Sequence, residues 1–382
     1  MINILYYESS SGFGGSSSNL YHILRQLDKT KFHPIVVVHQ DGDQFERMKS
    51  LGVEVIKVPY PQLEAVNRAG GFKLIWMVFS VIYPMSFKLY KIIRKRNIDL
   101  VHINTNILLG MPMILAGKQA RIKVFCYIRE SRALINREKH FVPYVHQFFI
   151  LNHQAMEIYK QDIPLDKLKV VYDGVDLEEF NNLNSKKFRD EFNLSGLKAV
   201  GLVGRIIRGK GQLEFAQVAK KVCQQFPDVR FLIVGDAKGE NSKYLDEVKA
   251  YIKKEHLNEK VILTGWRTDV KQIMHGLDLL VLASTTFPEG LPNTIIEAMA
   301  LNKPAVATDI PGPPEIIKDG ETGFIVPPGN IDAMAEKIIY LLTHEEEALK
   351  MGRMGRLRAE ELFDVRKVVK QAQALYEAEL NR

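Results

Sequence analysis

Short β-prone runs alternate with helix-period segments along the whole chain, and the alternation starts over once. In the first half the runs fall at residues 2–6, 35–38, 53–57, 100–103, 123–127, 147–151 and 169–172, with helical patterns near 17–27, 44–51, 72–96 and 108–120. A strand–helix–strand rhythm implies a parallel sheet with helices on both faces. Asp173-Gly174-Val175-Asp176 then makes a turn-rich joint, followed by a polar stretch with a short helix over 178–195. The rhythm resumes with strands at 199–203, 230–234, 261–264, 279–282 and 305–307, and helices near 212–225, 244–256, 270–275 and 294–300. The sequence therefore predicts an α/β protein of two doubly wound, Rossmann-like domains, 1–172 and 173–361. Its 382 residues suit two domains of ordinary size. Past residue 330 the chain reads as helical to the end. The last amphipathic stretch, 365–380, has no later strand to cover in its own domain, so 362–382 is expected to cross back to the first.

A hydrophobic content of 46% with 25% charged residues excludes a disordered chain. The net charge of +7 is spread along the sequence. It favours phosphates or acidic lipids as partners, or marks only a lysine-rich surface; no nucleic-acid partner is expected. Cys126 and Cys223 lie in apolar stretches without a CxxC or Cys/His neighbour. No disulfide framework or zinc site is expected, and a reducing cytoplasm fits. The opening residues 1–7 read as a strand and not as a signal peptide. Residues 74–87, Leu-Ile-Trp-Met-Val-Phe-Ser-Val-Ile-Tyr-Pro-Met-Ser-Phe, are too few for a spanning helix, which needs about 20. Lys88, Lys91, Arg94, Lys95 and Arg96 follow directly. Two readings stand: an interfacial helix in peripheral contact with an anionic membrane, at its inner face, or a core helix with a solvated end.

Three places carry chemistry. Pro288-Glu289-Gly290-Leu291-Pro292-Asn293-Thr294-Ile295-Ile296-Glu297 follows the strand at 279–282, at the carboxyl end of a parallel strand, where open α/β sheets bind ligands. Pro292 suits a first helical position, leaving the N–H groups of Asn293, Thr294 and Ile295 to face a phosphate. Gly290 lets a ligand approach the backbone. Glu289 and Glu297 frame this helix start, and carboxylates accept paired bonds from vicinal hydroxyls. The second place is 201–211, where Arg205 leaves a strand end and Lys210 sits at the turn into the next helix. Two fixed cations there suit a diphosphate. Neither G-x-G-x-x-G nor the P-loop pattern is present. The third is Gly12-Phe13-Gly14-Gly15-Ser16-Ser17-Ser18, a glycine-rich strand-to-helix turn. Asp41-Gly42-Asp43 mimics a metal-binding D-x-D but reads as a turn and helix start, so no metal or other cofactor is expected.

At these places the chain resembles the group 1 glycosyltransferases, glycosyltransferase family four, which are retaining enzymes of the GT-B fold with two facing Rossmann-like domains. The resemblance rests on Gly14-Gly15, the 173–176 joint, Gly204-Arg205 with Lys210-Gly211, Gly265, and the E-x7-E pattern from Glu289 to Glu297. Gly312-Pro313-Pro314-Glu315 and Gly320-Glu321-Thr322-Gly323 extend it. It implies transfer of a hexose from a nucleotide diphosphate sugar such as a UDP-sugar, without metal. The acceptor implied is a lipid-linked or cell-surface glycan precursor. Arg205 and Lys210 would bind the donor diphosphate, Glu289 its sugar and Glu297 its ribose; Gly235, Trp266 and Arg267 would border the base. Asp173 stands where the family has Asn. Arg129 and Glu130 stand where the family often has a histidine near the reacting sugar, and His102 either faces the acceptor or is a core histidine. Rival readings are a nucleotide-sugar epimerase of the same architecture and a non-catalytic nucleotide-sugar-binding subunit.

Overall fold

Seven strands, all parallel, form the first sheet in the order β3-β2-β1-β4-β5-β6-β7: β1 Ile2–Glu8, β2 Phe32–Val38, β3 Glu54–Lys57, β4 Leu100–Ile103, β5 Lys123–Ile128, β6 Gln147–Ile150 and β7 Leu168–Val170. Six parallel strands form the second in the order β10-β9-β8-β11-β12-β13: β8 Lys198–Val203, β9 Val229–Val234, β10 Val261–Gly265, β11 Leu279–Leu282, β12 Ala305–Thr308 and β13 Gly323–Val326. In this computed structural model the chain divides into two units, Met1–Gly174 with Val365–Arg382, and Val175–Asp364. The structure describes residues 1–9, 15–59, 76, 78–130, 132–287 and 289–381. The loop glycine Gly14, together with Ser131 and Pro288, lies outside them.

Each sheet is two-sided, and its central strands are mostly apolar because helices cover both faces. Leu5, Tyr7, Val37, Val101 and Ile103 sit in one core; Val200, Phe231, Ile233, Val281 and Val306 sit in the other. Both sheets reverse their winding once, between β1 and β4 and between β8 and β11. A crevice opens outside the carboxyl ends of the strands at such a switch point.

Three local readings need correction. β13 was not anticipated: it follows the turn residues of the Gly320–Gly323 motif, whose punctuation hides a four-residue strand. Of the helix expected over 72–96, residues 72–75 and 77 lie outside the described residues, and the described part is a π-helical turn, Val78–Ile82, running into a helix at Tyr83–Lys95. Pro84 is the second residue of that helix; lacking an N–H, it interrupts the hydrogen-bond ladder where the π-helical turn passes into the α-helix. Pro292 is the N-cap of helix Asn293–Ala300 and not its first residue.

Helix Val365–Leu380 belongs to the first unit. Val365, Val368, Val369, Ala372 and Tyr376 line its buried stripe, the 3–4 spacing of an amphipathic helix. Tyr376 packs edge-on against Phe125 (5.1 Å) and Phe32 (6.3 Å) and stacks on Phe149 (6.1 Å). Lys123 and Lys31 pair with Glu379 and Glu377. Gly174 permits the close approach of this helix: a Cβ there would lie 2.6 Å from the Val365 Cα. The unit boundaries fall at 174/175 and 364/365, where the sequence predicted 172/173 and 361/362.

Candidate functional site

β8 and β11 flank the second switch point, and the loops that leave them are tied together. The Thr285 N–H donates to the Gly209 carbonyl at 2.7 Å. Gly211 (φ +83°) would place a Cβ 1.9 Å from the Ala283 carbonyl oxygen, so only glycine lets the two loops touch. This contact carries Lys210 to Glu289. Its ammonium donates to Glu289 Oε1 at 3.1 Å, and the Ser284 hydroxyl donates to the same oxygen at 2.8 Å. Lys210 also lies 4.4 Å from the centre of the Phe287 ring. Glu289 is buried. A buried carboxylate is tolerated because it is paired and hydrogen-bonded. Arg205, two residues beyond β8, is exposed. Among the described residues its guanidinium has no acceptor.

Helix Asn293–Ala300 starts beyond the same strand ends. Its first N–H groups, those of Asn293 and Thr294, have no intrahelical acceptor. The third does not share their freedom: Ile295 N–H donates to the Pro292 carbonyl at 3.0 Å. The Asn293 Oδ1 atom is buried and without a partner among the described residues. Leu291 is buried and Gly290 partly so. Glu297, just over one turn into the helix, is half-buried. Burial pushes its carboxyl up to about 7, Lys271 draws it back and Glu179 raises it further. Lys271 is itself ion-paired with Glu179. At the β9 end, Gly235 N–H donates to the Gly265 carbonyl at 3.1 Å, and a Cβ on Gly235 would sit 2.0 Å from the Gly204 carbonyl oxygen. Trp266 follows, 68% exposed, with Lys238 Nζ 5.6 Å from its ring.

Two family profiles match the chain, Glycosyl transferases group 1 over residues 184–358 and Glycosyltransferase Family 4 over 13–179. The chain belongs to the group 1 glycosyltransferases. Among curated proteins it is 31% identical to the capsular polysaccharide biosynthesis glycosyltransferase CapM of Staphylococcus aureus, over 53% of this chain and 52% of that protein. The match thus spans about half the length of that relative. It is 28% identical to the UDP-Gal:alpha-D-GlcNAc-diphosphoundecaprenol alpha-1,3-galactosyltransferase of Escherichia coli, over 66% of this chain and 68% of that enzyme. Among solved structures, Anabaena HepE in complex with UDP superposes with a TM-score of 0.85 at 20% identity, covering 99% of this chain and 100% of that one. A glycosyltransferase of Rickettsia africae gives 0.87 at 22%, covering 99% and 98%. These likenesses show the GT-B fold.

In this glycosyltransferase four expected site residues have other duties. Arg267 is spent on Glu191, through bonds of 2.6 and 2.9 Å, and on Asp269, through two of 2.8 Å. It ties its own loop to the end of helix Lys186–Glu191. His102 is 1% exposed, caged by the rings of Tyr6, Tyr127, Phe149 and Tyr376, and bonded through Nδ1 to the Tyr376 hydroxyl at 2.6 Å. Burial, and secondarily Arg129, pushes its pKa down to about 3. It is a neutral core histidine. Arg129 donates to both oxygens of Asp173 (2.7 and 2.9 Å), to Asn104 Oδ1 (2.9 Å) and to Asn19 Oδ1 (3.2 Å), lying on the Tyr127 ring. Glu130 accepts from Asn106 at 2.8 Å and pairs with Arg132 at 2.6 Å. Asp41 pairs with Lys57, and Asp43 begins a helix, so the D-x-D mimic is a turn. Gly15 begins helix Gly15–Gln26 at the carboxyl end of β1.

Sequence reasoning missed Ser284, the Lys271–Glu179 pair beside Glu297, and Glu8. Glu8 is buried at the end of β1 and bonded to Asn104, which also reaches the Ser16 carbonyl at 3.0 Å. One signal for this network was available. Asp173 is a carboxylate within the joint, and a buried carboxylate needs a cation.

Proposed function

We propose that the chain transfers a hexose from a UDP-sugar to a lipid-linked glycan precursor at the inner face of a membrane, with retention and without a metal. The observation that carries this is the second switch point. An exposed guanidinium with no acceptor among the described residues, a Lys–Glu pair and a helix start stand at the carboxyl ends of neighbouring strands. Arg205 and Lys210 take the donor diphosphate, with the first N–H groups of helix Asn293–Ala300. Glu289, fixed by Ser284 and Lys210, accepts from hydroxyls of the sugar, and Glu297 from those of the ribose. The bond from the anomeric carbon to the phosphate oxygen breaks. The bond to the acceptor oxygen forms on the same face, and the departing phosphate takes the acceptor's proton. Arg205 and Lys210 neutralise the charge that develops on the diphosphate. The named substrates of similar proteins support this reading: HepE holds UDP, and the E. coli relative acts on a diphosphoundecaprenol-linked sugar.

The test is one incubation with a panel of nucleotide sugars, with and without polyprenyl-diphosphate-linked acceptors, following nucleotide release and sugar fate together. Acceptor-dependent UDP release with retained anomeric configuration is expected, and a strong chelator should leave the rate unchanged. An altered sugar released without acceptor would instead establish an epimerase. Loss of activity to the chelator, restored by manganese or magnesium, would overturn the metal-free assignment.

A further inference from the structure

The first unit carries a helical face that its own core leaves uncovered. Trp76, Phe79, Tyr83 and Phe87 are 59, 69, 53 and 50% exposed. They recur every three or four residues and so share one side of the helical segment. Its other side is the core side, where Ile82, Met85, Leu89 and Ile93 are buried. The exposed rings are ordered against one another, Phe79 stacking on Tyr83 at 5.8 Å and Phe87 on Tyr90 at 6.4 Å. Toward the carboxyl end the exposed positions become cationic: Lys88, Lys91, Arg94 and Lys95. None of the four has a carboxylate partner among the described residues, and Lys91 lies 4.5 Å over the Phe87 ring. Arg96 differs, being held bidentate by Glu54. No Asp or Glu occurs from 74 to 98.

We propose that this face is a peripheral docking surface for an anionic lipid bilayer, with the aromatic ridge at the headgroup–acyl boundary and the four cations on the headgroups. Aromatic rings with polar edges favour that boundary. Charge decides between this occupant and a second copy of the chain. A symmetric self-contact would set these cations against their own copies, with no carboxylate on the segment to answer them, whereas an anionic surface answers all four. None of the described helices is long and apolar enough to cross a membrane, so the contact is reversible and lies in the plane of the interface. The proposal deepens the inner-face reading above and rests on it for its purpose, by bringing the first unit to where a lipid-linked acceptor resides. Vesicle binding is therefore measured without donor or acceptor.

The full chain is floated with vesicles of phosphatidylcholine alone or mixed with phosphatidylglycerol. Flotation with the anionic vesicles only is expected, with release at high salt as the screening length shrinks from about 10 Å at 0.1 M to about 3 Å at 1 M. K88Q/K91Q/K95Q should lower the partition coefficient on the order of 10²-fold. F79S/F87S should also weaken it while leaving the salt dependence in place. Unchanged thermal melts of both variants would show that the core side is intact. Equal binding to both vesicle types, or no effect of the lysine variant, would overturn the proposal. So would a wild-type dimer that ignores vesicles and that F79S/F87S splits in sedimentation. Transfer to a water-soluble acceptor is assayed separately; its failure with vesicle binding intact would count against the transferase reading and not against this surface.

Discussion

Arg129, one residue past β5, and Arg205, two residues past β8, both leave the carboxyl end of a strand in sheets wound in the same order. Their surroundings are opposite. Arg129 is answered on all sides by Asp173, Asn104 and Asn19 and rests on Tyr127. Arg205 is exposed and unanswered among the described residues. One scaffold thus yields a charge used to hold the fold and a charge left for a ligand, and the difference lies in whether neighbouring loops supply acceptors. Arg129 has one because Asp173 stands at the joint.

The largest effect should come from breaking the answered charge. Arg129→Ala leaves the buried Asp173 carboxylate without a cation, a loss of about 3–5 kcal/mol, or roughly 10 °C in the melting temperature of a unit of this size. Arg129→Ala with Asp173→Asn together should recover much of it; equal melting of the single and double variants would show that the pair is not coupled. Breaking the unanswered charge should do the reverse. Arg205→Ala is expected to melt like the parent yet lose at least ~10²-fold in turnover. Lys210→Ala should lose as much activity and also some stability, because it strips Glu289 of its partner. Near-parental turnover in either variant would remove that cation from the site.

Smaller effects separate the two glutamates. Glu297→Ala should raise the dissociation constant for UDP about tenfold, the value of one well-made hydrogen-bonded contact, whereas Glu289→Ala should lower transfer and leave UDP affinity nearly intact. The same loss of UDP affinity in both would merge their roles. The smallest effect is one of pH. Burial holds the Glu297 carboxyl near 7, above its ordinary 4.5. Between those values the folded protein keeps a proton that the unfolded chain has released, so on this group's account stability falls as pH rises through that window. Glu297→Gln should therefore melt a few degrees above the parent at pH 8 and match it near pH 4.5. A pH-independent difference would mean the carboxyl titrates normally.

Much of this was legible in the chain. The strand positions came from apolar runs flanked by helical periods, and the second unit's loops from the glycine-bearing motifs at strand ends. The Lys210–Glu289 contact could be suspected because both ends of it stood in motifs. β13 was hidden by the turn residues around it, and the fate of His102 could not be read at all. Nothing in Val101-His102-Ile103 says that a helix beginning at Val365 will deliver Tyr376 to its ring. Arg267 looked like a ligand residue for the same reason: Asp269 is two residues on in sequence, but Glu191 is 76 residues away.

The sequence by itself determined the class of fold, the two windings and the carboxyl-end loops where chemistry gathers. Those follow from periodicity and backbone sterics, which are local. Only the tertiary structure decided which charges are spent and which are free, and which face of the segment from Trp76 to Lys95 looks outward. A charge is spent when a distant residue is folded against it, and a face is outward when no distant element covers it. Both depend on contacts between residues far apart in the chain, and no local pattern encodes them.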